Sequence, residues 1–347
     1  MINKIKNNIE KELIRFISGL DKKYRLRSIS PVLFNSIKDF ISRKGKRIRP
    51  TLFVIGYLGF AKKAAPGLYT SALSIELLHD FMLVHDDIID KSDTRRGKPS
   101  MHKVFNGILS GFKGIKFTGE DLSIVAGDVM FALGIHAFLS VQENRTRKEK
   151  ALKKLIEAAL YTGSGEFIEL LSGTKEVERI TRQDIYRIYD YKTANYTFAS
   201  PLAIGAILAG ADEKEIKKLF CYGIYLGRAF QIQDDILGMF SDEKAIGKSM
   251  LTDLQEAKKT ILIWYAFHHA PASKKAAIKM ILSKKSAGYK DLLKMREIIS
   301  TSGALEYAKK QILKSVESAG GTIARSGMNA KYRDILGKYS QDILNLN

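Results

Sequence analysis

A chain of 347 residues, 45% apolar and 27% charged, can bury a large core and is too apolar for intrinsic disorder. Its net charge of +20 suits an anionic partner without identifying it. Nucleic acid is disfavoured, because the lysines are spread through helical segments such as KKAAIKMILSKKSAGYKDLLKMR, with no basic tail and no zinc-finger spacing. Residues 4 to 19 read as an amphipathic helix, and the start of the chain lacks the apolar core and cleavage site of a secretory signal, so a cytoplasmic location is expected. Pro50 suits the first turn of a helix over TLFVIGYLGFAKK. Ser71 to Ile89 has long helical periodicity, broken by Gly97 and Pro99. Further helices are predicted from Asp121, over RTRKEKALKKLIEAALYTGSGEFIELL, and over Asp184 to Asn195, Pro201 to Leu208 and Glu213 to Leu237. TDLQEAKKTILIWYAFHHA and several shorter segments complete the C-terminal third. No uninterrupted apolar run approaches the ~18 residues of a membrane span, so stable membrane insertion is not expected. The lone Cys221, in KLFCYGIYLG, reads as core packing and gives no intrachain disulfide. With no composition break, the expectation is an all-α helical bundle formed as one domain over residues 1–347.

Two acidic clusters each end an apolar run: HDFMLVHDDIID at 79 to 90 and FQIQDDILG at 230 to 238. On a helix, Asp86 and Asp90 lie one turn apart on one face. Packing gives no reason to set adjacent carboxylates against Leu, Ile and Val, because unpaired buried charge is costly. Divalent cations bound to carboxylates and substrate phosphates do give one. Arg95 and Arg96 follow closely and suit forked hydrogen bonds to phosphate. The competing reading is a helix end with surface salt bridges, which the helix dipole opposes. Gly45, Lys46, Arg47 and Arg49 form a second cationic group, or a merely solvated loop. His79 is a phosphate donor or a structural histidine. Lys192 and Thr193 within IYDYKTANYTF, Lys248 and Lys258 are each exposed residues, or together hold more than one diphosphate.

The ordered segments GKRIRP, HDFMLVHDDIIDKSDTRRGKP, AGD at 126 to 128, YKTA at 191 to 194, GRAFQIQDDILG and GKSMLTDLQEAKKT resemble those of the trans-prenyltransferases, the polyprenyl diphosphate synthases. The resemblance covers residues 45 to 260. It implies the isoprenoid-synthase-type bundle around a central active-site cavity, and a homodimer. It implies magnesium, three ions when substrate is bound, with Asp86, Asp90 and Asp234 as ligands and Asp87 and Asp235 as supporting neighbours. Arg95, Lys192, Thr193, Gln231, Lys248 and Lys258 match the allylic-diphosphate surroundings. Lys46, Arg49, His79 and Arg96 match the isopentenyl diphosphate site, with Arg47 a weaker candidate there.

The implied reaction ionises dimethylallyl, geranyl or farnesyl diphosphate and joins it to isopentenyl diphosphate. Asp86, Asp87, Asp90, Arg95, Lys192, Asp234 and Lys248 carry it, and no side-chain nucleophile is needed. A bulky residue at Phe81, with Met82 and Leu78 nearby, implies a floor set for geranylgeranyl diphosphate. Farnesyl diphosphate synthase, or a bifunctional farnesyl/geranylgeranyl enzyme, is the alternative. A terpene cyclase and a non-catalytic partner subunit are lesser readings. The first motif lacks the two-residue insertion of many bacterial members, which looks archaeal. Three departures stand out: Gly238 for a common third Asp, Gly165, Glu166 and Glu169 where Gly-Gln…Asp is usual, and Ala257 for a common Gly.

Overall fold

The computed structural model describes residues 1–241 and 251–342, and they are mostly helical. The chain divides into two compact units, Met1–Leu155 with Ile204–Gly210, and Ile156–Ala203 with Ala211–Asn347.

The first unit holds α1 (Ile2–Tyr24), α2 (Leu26–Ile29), α3 (Pro31–Ser42), α4 (Ile48–Leu58), α5 (Leu68–Ile89), a two-stranded hairpin (β1, Thr94–Arg95; β2, Lys98–Pro99), α6 (Met101–Leu109), α7 (Gly119–Phe138) and the start of α8 (Arg145–Thr174). Helix α1 extends beyond the expected span at both ends and buries Ile5, Ile9, Leu13, Phe16, Ile17 and Leu20, a stripe of helical period. The sequence analysis did not single out α3, although it carries an ordinary start signal: Ser30 Oγ accepts from the Leu33 N–H at 3.2 Å, and Pro31 opens the first turn. Helix α5 is the core element, buried on nearly every face from Leu68 to Leu78 and packed against α1, α4 and α7. Helix α7 starts before Asp121 because Thr118 and Asp121 form a capping box. It is long and apolar enough to cross a membrane, but here it packs on α5 and α6.

The second unit contains the rest of α8, α9 (Arg182–Ile188), a π-helix (Tyr189–Ala199), the start of α10 (Ser200–Ala209), α11 (Glu213–Phe240) and the helices Thr252–Gln255, Ile261–His269, Ala272–Leu282, Tyr289–Thr301, Ala304–Ala324 and Ala330–Asp342. Helix α11 packs against the π-helix on one side and Ala304–Ala324 on another. The single helix expected over Asp184 to Asn195 is instead α9 followed by eleven residues of π-helix. Glycines on α11 provide room for that wider coil. A Cβ at Gly223 would stand 2.3 Å from Ala199 Cα, and one at Gly227 would stand 2.4 Å from Ala194 Cα. Pro201, which has no N–H to donate, follows at the start of α10.

Gly227→Ala should therefore cost about 1–3 kcal/mol, through overpacking against a backbone that cannot yield. Gly320→Ala, whose new methyl would meet nothing within 4 Å, should be neutral or slightly stabilising. Chemical denaturation of the two variants checks the contrast, and equal stabilities would refute it.

Candidate active site

In the first unit the acidic cluster forms the last turn of α5, where the Asp90 N–H donates to the Asp86 carbonyl at 2.8 Å. Asp86 and Asp90 are half-buried, and Asp87 is fully buried. The chain then reverses through β1 and β2. Thr94 pairs with Pro99 and Arg95 with Lys98, which leaves Arg96 and Gly97 as a two-residue loop with φ of 54° and 72°. Positive φ at both positions matches the twist of a tight hairpin. Gly97 adopts it at no steric cost, whereas Arg96 does so under strain.

That turn sets the two arginines apart. Arg95 Nε donates to Asp87 Oδ1 at 2.7 Å, and its Nη2 makes a second bond to the same oxygen. Arg96 reaches Asp80 at 3.0 Å and lies 3.9 Å from Glu76. Arg43, on the end of α3, donates to the Arg95 carbonyl at 3.1 Å, and Asp39 of α3 pairs with Lys98 at 2.6 Å, so the hairpin is fastened to α3. Arg47, 2% exposed, binds Glu10 at 2.8 Å and Glu76 at 2.7 Å, and donates to the carbonyls of Ile41 and Arg43. These bonds make Arg47 a structural anchor joining α1, α4 and α5. Lys46 is exposed and Arg49 half-buried. A Cβ at Gly45 would meet Arg47 and Arg96 only at ordinary contact distances, so crowding by the protein does not demand glycine there.

Burial and the surrounding Arg49, Arg96, Arg95 and Arg47 push the half-buried His79 imidazole well below its ordinary value. It is therefore a neutral hydrogen-bonding group at physiological pH. Burial likewise raises the Asp80 carboxyl, to about 7, against the pull of Arg96, and raises Asp87 against the pull of Arg95. Phe81 lies one turn before His85, edge-on to its ring at 4.5 Å and 5.4 Å from the Phe131 ring on α7. Met82 and Leu78 are buried.

In the second unit, α11 carries Gln231, Asp234 and Asp235 on consecutive turns. Asp234 is exposed and Asp235 buried. Thr193 Oγ1 donates to Gln231 Oε1 at 2.6 Å, and Gln231 Nε2 donates to Asp235 Oδ1 at 3.1 Å. Lys192, on the π-helix, is gripped by both Glu166 and Glu169 of α8. Gly165 lets α8 approach, since a Cβ there would stand 2.6 Å from the Lys192 backbone nitrogen. Lys258 pairs with Glu256 at 2.5 Å. Ala257 has a φ of 50°, a left-handed conformation that glycine adopts more cheaply. Lys248 lies outside the described residues.

Asp86 and Asp90, one turn apart at the end of α5, are hard carboxylates of the kind a divalent cation takes, and the buried Asp87 Oδ2 beside them has no hydrogen-bond partner, whereas no group of three acids or histidines converges as a metal site among the described residues. The arginines fit an anion, since the buried Arg96 Nη1 also has no hydrogen-bond partner.

Residues 30–299 match the polyprenyl synthetase family, and the chain belongs to it as a trans-prenyltransferase. It is 32% identical over 307 residues to a short chain isoprenyl diphosphate synthase of Methanocaldococcus jannaschii, covering 88% of this chain and 84% of that one. It is 33% identical over 302 residues to a geranylfarnesyl diphosphate synthase of Aeropyrum pernix, covering 85% and 88%. The crystal structure of geranylgeranyl pyrophosphate synthase from Corynebacterium glutamicum, complexed with isoprenyl diphosphate and magnesium, superposes with a TM-score of 0.89 at 25% identity over 100% of both chains.

Sequence reasoning missed Glu76, Asp80 and Arg43. The available signal was two acids, Glu76 and Asp80, inside the otherwise apolar run LSIELLHDFMLV.

Because His79 is neutral when folded, the unfolded chain binds the extra proton once the pH falls below the ordinary histidine value of 6.5. The stability that rests on this group is thus present above pH 6.5 and is lost on acidification. Relative to His79→Gln, the wild type should lose up to about 1.4 kcal/mol per pH unit between pH 6.5 and 5. Denaturation of both proteins across that range measures it, and parallel curves would mean that the folded imidazole is charged.

Proposed function

We propose that this enzyme condenses isopentenyl diphosphate with allylic diphosphates, with magnesium, and releases geranylgeranyl diphosphate as its main product. The observation that carries the reading is the last turn of α5, where Asp86 and Asp90 flank Asp87 in its ion pair with Arg95, within a family match spanning most of the chain. Magnesium held by Asp86, Asp90 and Asp234, three ions when substrate is present, would neutralise charge on the departing diphosphate. Arg95, Lys192, Thr193, Gln231, Lys248 and Lys258 bind the allylic diphosphate. Lys46, Arg49 and Arg96 hold isopentenyl diphosphate, with neutral His79 as a hydrogen-bonding partner. The allylic C–O bond breaks, and the isopentenyl double bond supplies the electron pair for the new C–C bond. The proton it then loses passes to the released diphosphate. No protein nucleophile is required, so the side chains bind, orient and exclude water.

The active unit is a homodimer in the cytoplasm. The support for the dimer is an apolar stripe on α8, where Ile156, Leu160, Phe167 and Leu171 are 47%, 61%, 64% and 50% exposed at helical spacing.

Purified protein given isopentenyl and dimethylallyl diphosphates with magnesium should make elongated prenyl diphosphates. Asp86→Ala and Asp234→Ala should each lower kcat on the order of 10²-fold or more with an unchanged circular dichroism spectrum. An inactive wild type, or variants that keep full turnover, would sink the assignment. Product from an allylic diphosphate alone would indicate a cyclase instead.

Phe81, wedged against His85 and Phe131, serves as the floor for the growing chain. Phe81→Ala should shift products beyond 20 carbons, as resolved by chromatography of the dephosphorylated alcohols. An unchanged product ladder at normal turnover would rule out Phe81 as the floor. A 15-carbon wild-type product would replace the geranylgeranyl reading with farnesyl.

A further inference from the structure

Tyr189 lies outside the site described so far. It is 5% exposed and opens the π-helix, and its phenol joins three elements. The hydroxyl donates to Asp235 Oδ2 on α11. The Tyr189 phenol oxygen in turn accepts, at 3.0 Å, from the N–H of Ile261, the first residue of helix Ile261–His269. Asp235 Oδ1 also accepts from Gln231, which is held in turn by Thr193. A line of hydrogen bonds thus runs from the start of helix Ile261–His269 through Tyr189, Asp235 and Gln231 to Thr193.

Adjacent residues on a helix point about 100° apart. A carboxylate held inward at 235 therefore fixes the outward phase of 234, in agreement with the exposed Asp234 beside the buried Asp235. A buried carboxylate relieved of one donor bears a large desolvation penalty. It would relax by turning or shifting α11, and its neighbour would move with it.

We infer that Tyr189 is the positioning residue of the second acidic motif, fixing Asp235 so that Asp234 is presented to the metal-bound diphosphate. This inference rests on the metal-ligand role proposed for Asp234. Partners of metal ligands that act at one remove typically alter affinity or activity by about 10–100-fold.

The test compares Tyr189→Phe with Tyr222→Phe. Tyr222 is an equally buried tyrosine on α11 whose hydroxyl donates to the Leu336 carbonyl at 2.8 Å, away from the acidic motif. Binding of Mn²⁺ in the presence of inorganic diphosphate is followed by electron paramagnetic resonance without turnover. The magnesium dependence of kcat and the KM for isopentenyl diphosphate are measured in parallel. Tyr189→Phe should raise half-saturating Mn²⁺ and Mg²⁺ about tenfold, with the isopentenyl diphosphate KM unchanged. Tyr222→Phe should melt earlier yet bind metal like the wild type. Equal metal affinity in the wild type and Tyr189→Phe overturns the inference, as does an equal shift in Tyr222→Phe. Should Tyr189→Phe not fold, the double variant Tyr189→Phe/Asp235→Asn leaves no buried charge to match. It should bind Mn²⁺ like Asp235→Asn alone, and a further tenfold loss would overturn the proposal. An active, metal-binding wild type with an unaffected Tyr189→Phe rejects only this inference. A wild type that binds no Mn²⁺ with diphosphate rejects the reading of Asp234 as well.

Discussion

Buried charge has to be matched, and the first unit depends on how that is done. Glu10, Arg47, Glu76, Arg96 and Asp80 alternate in sign along one connected line, with Arg47 and Asp80 almost wholly shielded from water. Each ion alone would bear a large desolvation cost, and removing one partner would strand the next. The line ties α1, α4 and α5 to the hairpin loop, so the position of Arg96 is set by the packing of three helices. Asp87 and Arg95 extend the same arrangement to the last turn of α5, and Arg43 braces the hairpin from behind.

The second unit reaches a similar result through backbone geometry. A long π-helix is rare, and π-turns concentrate at functional sites. Here it carries Lys192 and Thr193, and it begins with Tyr189. Its place depends on side chains that are missing: Gly223 and Gly227 on α11, and Gly165 on α8. Arg228, bound by both its Nε and Nη2 to Asp190 at 2.6 Å, fastens α11 to the π-helix with a forked ion pair.

Much of this was legible in the sequence, and the failures have physical causes. The long helices followed from apolar periodicity, and α11 was placed within three residues at its far end. The acidic motifs stood out because carboxylates beside Leu and Ile are otherwise unexplained. The π-helix was illegible, because a period of 3.6 describes its apolar faces nearly as well, and the room it needs is supplied some thirty residues later. The structural role of Arg47 was also hidden: in a run of Lys and Arg, nothing local tells a buried anchor from a solvated cation, and its partners Glu10 and Glu76 are remote in sequence. The strain at Ala257 was equally hidden, since only the backbone shows its positive φ, a conformation glycine would adopt more cheaply.

The net charge of +20 was a weaker guide than it seemed. Arg95, Arg96, Lys192 and Lys258 each stand against a carboxylate already. Lys192 faces two, Glu166 and Glu169. On the function proposed above, a diphosphate bound by any of these cations would exchange partners with its carboxylate. Such exchange keeps the long cationic side chains ordered beforehand and limits the entropy lost on binding. It also makes recognition depend on geometry: an anion must offer several oxygens at once to displace paired carboxylates, as a diphosphate can. The excess positive charge resides mainly on exposed lysines, where it would attract anions at long range, while on the proposed function the paired cations would select among them.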